Sequence, residues 1–123
     1  MGTLKFFCDT YALVEFIKGN PAYFPYHDKE LHTGIMNLYE LFYTLLRDYG
    51  EEIAKDYFYH FSSLVIAFEE DHVFAASKFK LQHYKKEISY VDALGYTLAS
   101  AAGMKFLTGD KEFENIERVE FVK

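Results

Sequence analysis

Residues 89–113 read SYVDALGYTLASAAGMKFLTGDKEF, and no other stretch limits the possible folds so tightly. Ser89 fits a helix cap, with Asp92 three positions on. Val91, Leu94, Leu98, Ala101 and Ala102 recur at helical spacing and predict one apolar face. Gly95 and Ala99 are small and lie near that face, so the helix can approach a sheet closely. Gly103 predicts a left-handed stop. Residues 104–108 form a short, mostly apolar run, which reads as a buried parallel strand ending in Thr108, Gly109 and Asp110. In an open α/β sheet, chemistry collects at the carboxyl edge of the strands. Asp110 lies just past such an edge, and Asp92 enters the helix that leads to it.

The beginning of the chain supplies a third carboxylate in a matching place. Residues 4–8 read as a first, central strand, and Asp9 and Thr10 follow it directly. A helix over 11–18, with Ala12, Leu13, Phe16 and Ile17 apolar, stops at Gly19-Asn20-Pro21. Residues 20–34 read as a loop holding both prolines and the aromatic residues Tyr23, Phe24 and Tyr26. Two readings of it stand: a lid packed on the body, or a surface for stacking on bases or a partner. Residues 35–49 predict a helix with the stripe Leu38, Leu41, Phe42, Leu45 and Tyr49. Glu40 falls off that stripe, where periodicity alone puts it in water. Gly50 separates a second helix, 51–62, with Ala54, Phe58 and Phe61 inward. Residues 64–68, LVIAF, read as a second strand. Acids open a helix over 69–86, where the helix dipole favours them. Val73, Phe74, Ala76, Leu81 and Tyr84 share an arc of that helix. Lys80 falls inside the arc and either snorkels or reaches towards the acids. Phe113 and Ile116 are expected to pack inward, and 119–122 to form a last edge strand. This order predicts one domain, 1–123, built as a parallel α/β sandwich.

Composition narrows the function classes. Half of the 123 residues are hydrophobic and 20% are aromatic, enough for a substantial core and too much for a disordered chain. No apolar run approaches the ~20 residues of a membrane span, and the start MGTLKFFCDT is too short and too soon acidic for a signal peptide. The single Cys8 cannot form an intramolecular disulfide and suits a buried strand in a cytoplasmic protein. A net charge of −6 argues against coating nucleic acid by bulk electrostatics. It leaves room for a site whose positive charge comes from a metal ion, and it suits a basic partner. With 11 tyrosines and 13 phenylalanines, so small a domain is expected to self-associate as a homodimer.

Four segments, in order, carry a family resemblance. CDTYALVEF, NLYELFYTLL, SYVDALGYTLASAAG and FLTGDKEF resemble the four acidic motifs of PIN-domain ribonucleases, and among them the VapC-like toxins of toxin–antitoxin pairs. The resemblance implies a three-layer α/β/α sandwich around a mostly parallel sheet of four to five strands. It implies that Asp9, Glu40, Asp92 and Asp110 hold one or two Mg²⁺ or Mn²⁺ ions, directly or through water. Thr10 and Thr108 would orient ligands or water. RNA would be the substrate and a small antitoxin the partner. Gly95 departs from the pattern, because relatives usually carry a larger apolar residue there.

Taken singly, each acid has a structural explanation. Asp9 caps a helix, Asp92 belongs to a Ser89-x-x-Asp92 capping arrangement, Asp110 is a turn residue and Glu40 faces water. Together they are harder to dismiss. Carboxylates crowded into one crevice repel unless protonated or holding a cation, and oxygen ligands suit Mg²⁺ or Mn²⁺.

Other chemistries find little support. Cys8 has no patterned histidine partner, and His27, His32, His60, His72 and His83 show no zinc-finger spacing. No Gly-rich phosphate loop is present. Asp9-Thr10-Tyr11 lacks the Asp-x-Asp of haloacid-dehalogenase phosphatases. The expectation is a metal-dependent endoribonuclease acting on single-stranded RNA. The alternatives are a PIN-like interaction module without a working site, or another Mg²⁺-dependent phosphohydrolase.

Overall fold

Four parallel strands in the order β2-β1-β3-β4 organise the computed structural model, which describes residues 4–123. Met1, Gly2 and Thr3, part of the chain start read above, lie outside the described residues. The strands are β1 (Lys5–Cys8), β2 (Glu30–His32), β3 (Lys105–Thr108) and β4 (Val119–Phe121). The helices are α1 (Thr10–Lys18), α2 (Ile35–Tyr49), α3 (Glu51–Ser62), α4 (Glu70–Gln82) and α5 (Tyr90–Ala101).

Alternation along the central strands sorts the core into two layers. Phe6, Cys8 and Leu107 face one side and join Leu13, Leu38, Leu41, Leu45, Ala54 and Phe61. Phe7 and Phe106 face the other and meet Ile88, Ala93, Leu98, Ala99 and Phe113. The Phe7, Phe106 and Phe113 side chains are fully buried, each stabilising the fold by about 1.5–3 kcal/mol through burial alone. The result is the expected three-layer α/β/α sandwich.

Gly95 shows how closely α5 approaches the sheet. A Cβ there would stand 2.8 Å from the Phe7 ring and 3.1 Å from the Phe106 ring. Gly103, at φ +70°, ends α5 as expected.

Several expectations need correction. LVIAF is not a strand of the sheet; only Val65 bridges, to Thr33, with the Ile66 N–H donating to the Thr33 carbonyl at 2.9 Å. Its place beside β1 is taken by β2, inside the segment read as loop, because the Lys5 and Phe7 positions pair with Glu30 and His32. The arc expected to face inward on α4 is displaced. Ala76 and Phe79 face the core, Phe79 stacking on Tyr96 and Phe113, and this leaves Val73, Phe74, Leu81 and Tyr84 exposed. Tyr49 on α2 and Ala101 and Ala102 at the end of α5 are likewise exposed.

The rest of the 20–34 segment packs as a lid. Pro21–Tyr26 form a 3-10 helix, and Tyr23 is buried with its hydroxyl donating to the Val122 carbonyl at 2.6 Å. The Tyr26 hydroxyl donates to Glu120 at 2.6 Å. Lys80 snorkels, its ammonium donating to the Ile88 carbonyl at 2.6 Å and lying 4.8 Å from the Tyr90 ring centroid. No described helix is long and apolar enough to cross a membrane.

Candidate active site

Strand β1 runs straight into α1, and Asp9 is the joint. Its backbone is extended, and its Oδ1 accepts the Ala12 N–H at 2.8 Å as the α1 cap. Its Oδ2 accepts the hydroxyl of Thr108, the last residue of β3. Because β1 and β3 are parallel neighbours, their carboxyl ends meet here, and Thr108 is buried beside Asp9. The Thr108 hydroxyl also accepts the Asp110 N–H at 3.0 Å, so one oxygen ties both strand-end acids together. Asp110 in turn caps the short turn Lys111–Phe113 through the Glu112 N–H at 3.0 Å.

The other two acids come from helices. Glu40 on α2 is half-buried, and its Oε1 accepts the Thr10 hydroxyl at 2.6 Å. Asn37, one turn earlier on α2 and buried, donates to the Thr10 hydroxyl at 3.3 Å. Asp92 lies in the first turn of α5, where its N–H donates to the Ser89 hydroxyl at 3.0 Å. Asp9 and Asp110 therefore do cap, while α5 is capped by Ser89 and not by the Asp92 carboxylate; these roles coexist with a shared location.

All four acids line one pocket of about 400 Å³, together with Thr10, Tyr11, Gly109, Lys111 and Lys123. Burial pushes Asp9 up to about 8, with Asp92 and Asp110 adding to the rise against the Thr108 and Ala12 hydrogen bonds. Asp92 is pushed up to about 6, first by burial and then by the Glu40 and Asp110 carboxylates. These acids thus sense one another's charge. Gly109 is needed at the rim, since a Cβ there would run into the Tyr11 ring and stand 2.6 Å from the Val122 carbonyl oxygen.

The donor set is hard oxygen and suits Mg²⁺ or Mn²⁺. Among the described residues, however, no three His, Cys, Asp or Glu side chains are drawn together as a ligand cage. Hydrogen bonds tie the Asp9 carboxylate to Thr108 and the Glu40 carboxylate to Thr10 at the pocket wall. That arrangement fits an ion that keeps several waters and takes only one or two carboxylates directly, as Mg²⁺ does.

The sequence reading did not single out Asn37 or Lys123. Asn37 carried a signal: a polar residue three positions before Glu40, on the same side of a helix. Lys123 reaches the pocket only through the tertiary fold. A recess of about 430 Å³ between α1 and α3 is slightly larger, but Leu13, Phe16, Ile17, Tyr57 and Phe61 dominate its walls. It has no carboxylate, so donor chemistry and not size picks out the acidic pocket. Cys8 is buried and free, and burial raises its thiol pKa, which suits an inert core residue.

A family model described as PIN domain matches residues 6–119. No curated protein sequence matches the chain. Among solved structures, VapBC2 from Rickettsia felis bound to a DNA fragment from their promoter is similar over 98% of this chain and 100% of that one, at 19% identity and TM-score 0.75. A toxin–antitoxin complex from Klebsiella pneumoniae is similar over 93% and 94%, at 14% identity and TM-score 0.74. DNA-bound VapBC from Salmonella typhimurium is similar over 96% of each chain, at 19% identity and TM-score 0.68. At these identities the likeness establishes the fold.

Proposed function

We propose, from the premise that this chain belongs to the PIN-domain family, that it is a metal-dependent endoribonuclease cutting single-stranded RNA, and the toxin of a cytoplasmic toxin–antitoxin pair. One observation carries the reading: carboxylates from four separate segments line a single pocket at the carboxyl edge of β1 and β3.

Asp9, Glu40, Asp92 and Asp110 are the residues that would hold Mg²⁺ or Mn²⁺. The chemistry such an ion supplies is Lewis acidity, which lowers the pKa of water and offsets charge on phosphoryl oxygens. The chain's own groups prepare the site. The Thr108 hydroxyl fixes the Asp9 carboxylate, and the Thr10 hydroxyl, held by Asn37, fixes Glu40. Lys111 and Lys123 bring positive charge to the pocket wall, where a phosphate would lie. The test is cleavage of single-stranded RNA in Mg²⁺ or Mn²⁺, expected to stop on adding EDTA and to leave 5′-phosphate and 3′-hydroxyl ends. A 2′,3′-cyclic phosphate end would mean attack by the RNA's own 2′-hydroxyl and would reject the mechanism.

The partner in this reading is a small antitoxin with Arg or Lys directed at the acidic pocket. Its apolar residues would occupy the recess between α1 and α3, beside the Pro21–Tyr26 lid. Support comes from the acidity of the chain, the apolar walls of that recess, and the toxin–antitoxin complexes among the similar structures. Co-expression with the neighbouring gene should give a complex and relieve growth arrest; neither effect appearing would reject the pairing.

A further inference from the structure

The acidic pocket does not end at Glu40. Thr10 and Glu40 also line a second recess, of about 470 Å³, whose other walls are Tyr39, Tyr43 and Thr44. Tyr39 and Tyr43 stand one turn apart on α2 and are 67% and 61% exposed. The core is not what holds them, for α2 turns Leu38, Leu41 and Leu45 inward. Among the described aromatic pairs neither ring has an aromatic neighbour; the Arg47 guanidinium lies 5.9 Å from the Tyr43 centroid. On the acidic pocket's own wall are Lys111 and Lys123. The two tyrosines belong to the adjoining recess. A polynucleotide laid across both recesses therefore has cations for its phosphates and open aromatic faces for a base.

We propose that Tyr39 and Tyr43 form a stacking platform for an unpaired nucleobase beside the scissile phosphate, which makes the site selective for single strands. This rests on reading the acidic pocket as a phosphodiester-cleaving centre. Side chains one turn apart on a helix have Cβ atoms about 5–6 Å from each other, close enough for both rings to touch one base. A paired base is already stacked within its duplex and cannot present its face to them. Every base has a π-face, so the platform selects strandedness and not sequence.

The test reads binding without turnover: fluorescence anisotropy of a labelled single-stranded oligoribonucleotide in Ca²⁺, with the full chain. Tyr39→Ala with Tyr43→Ala should weaken binding roughly tenfold, whereas the double Tyr→Phe variant, which keeps both rings, should bind like the parent. An abasic replacement at one position should cost the parent as much as the alanine pair does, and cost the alanine variant nothing further. Equal binding by the parent and the alanine variant overturns the proposal, as does no binding by the parent, or a loss in the phenylalanine variant equal to that in the alanine variant. Tyrosine-dependent binding of RNA that is never cut in Mg²⁺ or Mn²⁺ keeps the platform and removes the nuclease. Tyrosines needed only for capture of the co-expressed neighbouring protein would make this a protein surface, against the proposal.

Discussion

Asp9 accepts the Ala12 N–H with one carboxylate oxygen and the Thr108 hydroxyl with the other, while burial and the neighbouring acids raise its pKa from 3.8 to about 8. A carboxyl group whose folded pKa is raised binds its proton more tightly in the folded state. Its stabilising contribution is full below its unfolded value and is lost as pH rises through the folded one. In EDTA, the melting temperature should therefore fall between about pH 4 and about pH 8. Asp9→Asn keeps a helix-capping side chain and should flatten that fall; parallel slopes for parent and variant would contradict the assignment. Thr108→Val removes a hydroxyl that serves two acids at nearly constant shape. It should cost about 1–3 kcal/mol in urea unfolding, with Thr108→Ser close to the parent. At this scale Asp9, Asp92 and Asp110 were legible because each follows a strand or opens a helix. Glu40 was legible only through the family motif, because helical periodicity sends it to solvent and only its contact with Thr10 shows otherwise.

Helix α5 packs on the sheet through Gly95, and two effects of opposite sign meet there. Gly95→Ala should gain about 1 kcal/mol from helix propensity. Against this, a Cβ 2.8 Å from the Phe7 ring forces a shift in a fully packed layer, which costs about 1–3 kcal/mol. Net destabilisation in urea unfolding is the expected result, with Gly95→Ala combined with Phe7→Leu recovering part of it; a stabilised single variant would mean the layer has slack. The elements with an end signal were readable from sequence: α1, α2 and α5 at their glycines, and β3 and β4 at their apolar runs. The misreadings share a cause. LVIAF is apolar enough for a strand, but the edge position next to β1 went to Glu30–His32, a half-exposed triplet without strand character. On α4 the apolar residues run almost all round, so periodicity did not fix which side faces α5, and the stacking of Phe79 on Tyr96 did.

For the whole molecule, the same displacement of α4 leaves Val73, Phe74, Leu81 and Tyr84 on the surface, Leu81 at 73% exposure. We propose this face as the seam of the expected homodimer, in which case Leu81→Glu with Phe74→Glu should turn a dimer into a monomer in light scattering. A parent already monomeric at micromolar concentration would reject the dimer. The central claim, though, concerns the pocket in which β1, α2, α5 and β3 bring their acids to one place. An ion bound only by the folded state raises its melting temperature, so the most direct measurement is thermal unfolding with Mn²⁺ or Mg²⁺ titrated into parent and Asp9→Asn/Asp92→Asn protein. The account predicts a rise with metal concentration in the parent, absent in the double variant. A parent that ignores both ions, or a double variant that responds as the parent does, would contradict it and leave an interaction module whose acids serve only local structure.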